Sequence, residues 1–171
     1  MAHPACSHPL RTQGCAHCVK SYHALYCHSV SLIAGDLFAS PFCLAHCISA
    51  DAHMRKGVAA VFRQLYGGIE DRMSPEMSVG DVVIQEIDNG RRFAYHMITK
   101  KHFWEKPTLQ AVKLCLQKLV VIMEANNVQY VSLPWIGTGL DRLARADVWK
   151  IINEVFRNTA LKAIIHQRDG W

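Results

Sequence analysis

The spacing of apolar positions changes several times along this chain, and each change marks an element. Val30 to Ala34 is a short apolar run stopped by Gly35-Asp36, and Leu44 to Ile48 is a second, so both read as strands. Val58, Val61, Phe62 and Leu65 then fall at i, i+3, i+4 and i+7, the stripe of an amphipathic helix closed by Gly67-Gly68. Val82 to Ile87 and Arg92 to Thr99 flank Asp88-Asn89-Gly90, a turn sequence that predicts an antiparallel hairpin. After Pro107-Thr108, the residues Leu109, Val112, Leu116, Leu119, Val120 and Met123 trace a long helix ending near Asn126-Asn127. Tyr130 to Leu133 is another strand, Val148, Ile151, Ile152 and Val155 share one face of a final helix, and Leu161 to Ile165 is the last strand. Strands alternating with helices, plus one hairpin, predict an α/β fold: a three-layer α/β/α sandwich with a mixed sheet over residues 29–171.

Residues 1–28 follow a different rule. They show no apolar periodicity, and only Tyr22, Leu25 and Tyr26 offer core material, so without a crosslink the segment is too poor in apolar surface to fold. Cys6, Cys15, Cys18 and Cys27 lie among five histidines there, with one Cys-x-x-Cys knuckle flanked by single cysteines. In a reducing compartment thiols at this density are more often metal ligands than disulfides, which makes these four the candidate ligands of a structural zinc. A Cys/His-rich tail without metal, and disulfide or redox chemistry, fit the same spacing.

Composition narrows the class. The chain is 171 residues long and half hydrophobic, enough for one sizeable core. No apolar run approaches the roughly 20 residues that span a bilayer, and the opening Met1-Ala2-His3-Pro4 has no signal-peptide character. The expectation is an intracellular protein, cytoplasmic or nuclear, monomeric, with no membrane partner. A net charge of +5 permits an anionic ligand or nucleic acid without requiring either.

The chemistry gathers at strand ends. Gly137-Thr138-Gly139 follows the Tyr130 strand and precedes a helical pattern, an arrangement in which backbone N–H groups and a helix N-terminus can receive a phosphate. An ordinary loop that caps a helix fits the same residues. Asp141 is out of place beside a phosphate loop unless it caps that helix or performs acid/base chemistry. Loops after the first two strands, Gly35 to Phe38 and Ser49 to Gly57, reach the same sheet edge. The strand Met97-Ile98-Thr99-Lys100-Lys101 ends in two lysines, and alternation puts Lys100 on the face of His96 and Ile98.

Six of these stretches, in this order, make the sequence similar to macrodomains, specifically to the terminal ADP-ribose protein glycohydrolases that work with a lysine and an aspartate. They are Gly35-Asp36-Leu37-Phe38, Leu44-Ala45-His46-Cys47-Ile48-Ser49, Gly57-Val58-Ala59, Ile98-Thr99-Lys100-Lys101, Lys106-Pro107-Thr108 and Ile136 to Leu143. The resemblance implies that Asp36 and the Leu37 N–H read adenine, that Gly137, Thr138, Gly139 and Leu140 cradle the diphosphate, and that Ser49 and Gly57 also contact the ligand. It makes Lys100 and Asp141 the catalytic pair and needs no catalytic cofactor. The implied reaction releases ADP-ribose from glutamate or aspartate side chains of modified proteins, and also from O-acetyl-ADP-ribose. Two alternatives stay open: an ADP-ribose reader without turnover, and a hydrolase of ADP-ribosylated DNA bases. An unprotonated lysine can form a Schiff base with an opened ribose, and burial against Ile98 would favour the unprotonated amine.

The sequence also departs from that pattern. Relatives carry small residues after the methionine of the second loop, where this chain has Arg55-Lys56, and Trp135 stands where a basic residue is expected. His46, Cys47 and His53 suggest a catalytic metal only weakly, since neighbours on a strand face opposite ways; Cys43 and Cys115 read as small core residues.

Overall fold

The computed structural model describes residues 28–168; Cys6, Cys15, Cys18 and Cys27, and with them the zinc expectation, lie outside the described residues. Six strands, β1 (Val30–Ala34), β2 (Cys43–Ser49), β3 (Val82–Ile87), β4 (Arg92–Lys100), β5 (Tyr130–Pro134) and β6 (Lys162–Gln167), form one sheet in the order β1-β6-β5-β2-β4-β3. The β3–β4 pair is antiparallel and every other pair is parallel, giving the mixed sheet the hairpin predicts. At its turn Asp88 and Asn89 both take left-handed φ (53° and 58°) while the Gly90 N–H returns to the Ile87 carbonyl. Asp and Asn tolerate that conformation, which matches the twist of the flanking strands.

Helices α1 (Gly57–Tyr66), α2 (Leu109–Ala125) and α3 (Arg145–Phe156) cover the two faces. Leu116, Leu119 and Met123 of α2 and Val148, Ile152 and Phe156 of α3 pack with Ala45, Tyr95 and Leu133 on one side. Phe62 of α1 packs with Leu44, Ile48 and Ile98 on the other. Strand β2 thus sends alternate residues into two cores, which is why it reads as a continuous apolar run. Thr108 caps α2 by accepting the Ala111 N–H at 3.1 Å, and Asn127, at φ 54°, ends it in the left-handed conformation.

Two expectations need correction. Leu65 is 53% exposed, so the buried stripe of α1 does not extend to i+7; Phe62, with Val58, Ala59 and Tyr66 partly buried beside it, covers that side of the sheet. The glycine loop does not run straight into a helix either. Leu143 N–H bonds back to the Gly137 carbonyl at 2.8 Å and Arg142 takes φ 59°, closing a loop before α3 begins at Arg145 with Ala144 as N-cap. Asp141 therefore does not cap α3.

Candidate active site

Parallel strands that end at one edge leave their loops to form a crevice there. The ends of β1, β2, β4, β5 and β6 surround a cleft of about 870 Å³. The ten residues that the resemblance singles out, Asp36, Leu37, Ser49, Gly57, Lys100, Gly137, Thr138, Gly139, Leu140 and Asp141, all line it.

Lys100 and Asp141 meet inside this cleft. The Lys100 Nζ donates to Asp141 Oδ1 at 2.5 Å, with the side chains only 14% and 17% exposed. Simple alternation does not place this lysine: a β-bulge shifts the register so that Ile48 pairs with Ile98 but Ser49 pairs with Lys100. Ile98 belongs to the α1-side core, and the direct neighbour of the amine is a carboxylate. The pair is a charge-assisted hydrogen bond between a proton donor and a ready acceptor.

The two glycines of the phosphate-type loop have different reasons to be glycine. At Gly137 φ is 67° and a Cβ would meet Leu143 Cδ1 at 2.7 Å, so the fold itself demands glycine. At Gly139 nothing lies within 4 Å of where a Cβ would be. That open side gives a ligand room to approach the backbone. Across the cleft, Leu140 comes within 3.6 Å of the Cβ position of Gly57.

Asp36 caps a short 3-10 turn, Leu37–Ala39, by accepting the Phe38 N–H on Oδ1 at 3.2 Å. The turn is anchored from below: the Ser40 and Ser132 hydroxyls bond at 2.7 Å, and Ser132 bonds His166 Nε2 at 3.0 Å. Arg92 adds two bonds from Nη1 to the Ser40 and Phe42 carbonyls. Burial holds the His166 imidazole below its ordinary pKa despite the nearby Asp36 charge.

Ser49 Oγ donates to Asp51 at 2.5 Å, so its hydroxyl proton is already committed. Arg55 and Lys56 are exposed and line the cleft. Trp135 Nε1 donates to Gln167 Oε1 at 3.3 Å, and the Arg145 guanidinium sits 5.5 Å from the centre of its ring. His46 Nε2 donates to His96 Nδ1 at 2.7 Å while His96 Nε2 donates to Gln85 Oε1 at 3.0 Å, and Gln85 in turn donates to the Tyr66 carbonyl. This direction follows because the Gln85 amide is used on a carbonyl, leaving only its oxygen for His96. Among the described residues no group of three His, Cys, Asp or Glu side chains is arranged to hold a metal.

Sequence reasoning missed Asp51, Phe103 and Trp104. Phe103 stacks on His53 at 3.8 Å and Trp104 on His102 at 4.6 Å; His53, Phe103 and Trp104 line the cleft, and Asp51 stands outside its lining. The stretch His102-Phe103-Trp104 has no apolar period, but two adjacent large aromatics in a polar strand-end loop were the available signal.

A cleft over the strand ends of this six-stranded mixed sheet defines a macrodomain. Solved macrodomains of DarG share the fold: that of Mycobacterium tuberculosis superposes with TM-score 0.73 at 21% identity, over 81% of this chain and 97% of its own. That of Thermus aquaticus gives TM-score 0.70 at 21% identity, over 81% and 97%. No family model matches the chain. The human ADP-ribose glycohydrolase OARD1 is 36% identical over 139 residues, 80% of this chain and 90% of the relative. Its bovine counterpart is 35% identical over the same length. The chain belongs to the ADP-ribose glycohydrolase family of macrodomains.

Proposed function

We propose that this protein is a mono-ADP-ribosyl hydrolase that binds ADP-ribose in the strand-end cleft and releases it from glutamate or aspartate side chains of modified proteins, with O-acetyl-ADP-ribose as a second ester substrate. The observation that carries the reading is the Lys100–Asp141 contact within the cleft. A reader needs neither an amine nor a carboxylate at that point. Two relatives that are 35% and 36% identical are named ADP-ribose glycohydrolases, and a structural neighbour, Thermosipho africanus DarTG, was solved in complex with ADP-ribose.

The chemistry follows from the pair. Asp141 takes the proton of the Lys100 ammonium, leaving a neutral amine. The amine forms a bond to C1″ of the distal ribose as the acyl carboxylate leaves with the electron pair of the C1″–O bond. The attack leaves the nitrogen as a glycosylammonium, which gives one proton to Asp141 as Asp141 passes its own to the ring oxygen, and the bond from C1″ to the ring oxygen breaks to leave a protonated Schiff base. Water then adds at C1″, the C–N bond breaks, Asp141 gives its proton to solvent, and lysine and free ADP-ribose are restored. The open side of Gly139 supports diphosphate binding, and Asp36 with the Leu37 N–H supports adenine recognition.

The stacked His53–Phe103 and His102–Trp104 pairs, beside Arg55 and Lys56, favour one second reading: an ADP-ribosylated nucleobase as substrate. Incubating the protein with glutamate-linked mono-ADP-ribosylated protein and, separately, with ADP-ribosylated single-stranded DNA decides between them by the ADP-ribose released. Release from neither, with ADP-ribose still bound, leaves a reader. Structural zinc on Cys6, Cys15, Cys18 and Cys27 is a separate proposal that the Cys-x-x-Cys spacing supports, and elemental analysis of the purified protein tests it.

A further inference from the structure

We propose that Asp51 is a positioning residue for Lys100: together with its neighbour Ala50 it clamps the exit of β4 and so sets where the lysine amine stands against Asp141. The inference rests on the hydrolase reading of the Lys100–Asp141 pair and names a residue that supports it from outside the cleft lining.

Lys100 is the last residue of β4, and its backbone is held directly: the Ala50 N–H donates to the Lys100 carbonyl at 2.9 Å. Asp51 then grips the chain three residues further on, accepting the Phe103 N–H on Oδ2 at 3.0 Å. Oδ1 is fixed from its own side by the Ser49 hydroxyl at 2.5 Å and the His53 N–H at 3.3 Å. Consecutive residues of the β2 exit therefore hold both ends of the segment from Lys100 to Phe103.

A local bond alone would not do this. The turn after Lys100 has its own closure, in which Glu105 Oε2 accepts the N–H groups of Lys101 and His102 at 3.1 Å each. That closure shapes the turn without relating it to the rest of the cleft. The Asp51–Phe103 bond spans 52 positions of sequence and ties the turn to the adjacent wall, the loop after β2. The wall it ties to carries backbone strain: Ala52 and Met54 sit at φ 50° and 36°, a conformation that side chains with a Cβ rarely adopt. Strain of this kind persists only where surrounding bonds over-determine the loop, and the Asp51 carboxylate supplies three.

The bulge makes the clamp matter for chemistry. With regular pairing broken between Ile48 and Ser49, the ladder no longer dictates the direction of the Lys100 side chain. Burial by itself would raise the Asp51 carboxyl, but the bonds from Ser49, Phe103 and His53 outweigh it and hold it below the usual range. The clamp is thus ionised at neutral pH and at full strength.

The test uses the full chain with Asp51→Ala and Asp51→Asn, measuring kcat on glutamate-linked mono-ADP-ribosylated protein, the Kd for ADP-ribose by calorimetry, and amide exchange at residues 101–103. Displacing a reacting group by about an ångström costs up to roughly 10²-fold in rate. Asp51→Ala should lower kcat by about 10- to 100-fold, leave the ADP-ribose Kd within about twofold, and speed exchange at Phe103. Asp51→Asn should recover part of kcat, since its carbonyl can still accept the Phe103 N–H. Wild-type kcat in Asp51→Ala overturns the proposal, as does a parallel loss of kcat, ADP-ribose binding and melting temperature in both variants. Absence of turnover in the wild type would count against the hydrolase reading instead; the exchange measurement then decides the clamp, and unchanged protection at Phe103 in Asp51→Ala overturns it.

Discussion

At the scale of single residues, two carboxylates in one cleft are assigned different work by their neighbours. Asp141 faces an amine at 2.5 Å, whereas Asp36 lies at the far strand end, capping a 3-10 turn. In the proposed hydrolysis, Asp141→Ala removes the proton acceptor and Lys100→Ala removes the nucleophile. Each should lower kcat by 10²-fold or more while the ADP-ribose Kd stays within a few-fold, measured by product release and calorimetry. Asp36→Ala should weaken ADP-ribose by roughly 1–3 kcal/mol, the range for a lost hydrogen bond to a charged group. Ribose 5-phosphate, which lacks adenine, should bind that variant as it binds the wild type. Equal weakening of both ligands would make Asp36 a turn cap and nothing more.

At the scale of elements, the apolar pattern carried most of the fold because each face of the sheet is buried by a helix of the matching period. The hairpin and the Thr108 cap of α2 were legible for a more local reason, since Asn-Gly and Thr before an apolar stripe act within a few residues. Thr108→Ala should therefore cost about 1 kcal/mol in urea unfolding without altering turnover. The candidate site was legible in its positions: residues from Asp36 to Asp141 that the motifs singled out line one cleft. Its geometry was not. The bulge beside Lys100 depends on pairing with β2, and the Asp51–Phe103 bond joins residues 52 positions apart, so neither leaves a periodic trace. Leu65 misled because the stripe that predicts helix does not say where the sheet ends beneath it.

At the scale of the whole molecule, the neutral histidine chain in the α1-side core links the fold's stability to pH. An unfolded histidine takes up a proton near 6.5, but burial, with Arg72's charge adding to it, lowers His96 to about 3, and burial lowers His46 in the same direction. As pH falls the unfolded chain binds protons first, so stability is full above about pH 6.5 and is lost progressively between 6.5 and 3. His96 can contribute up to about 1.4 kcal/mol per pH unit across that window, and His46 acts in the same direction. Urea midpoints should drop steeply from pH 6.5 to pH 4, and a flat profile would contradict neutral burial of both rings. Covalent chemistry by the Lys100–Asp141 pair within the cleft leaves an intermediate that reductive trapping detects. Borohydride added during turnover of a glutamate-linked substrate should reduce the Schiff base, and peptide mass spectrometry should find ADP-ribose fixed to Lys100 in the wild type and at no residue in Lys100→Ala. Full turnover with no adduct on Lys100, or wild-type rates in Lys100→Ala, would contradict the account.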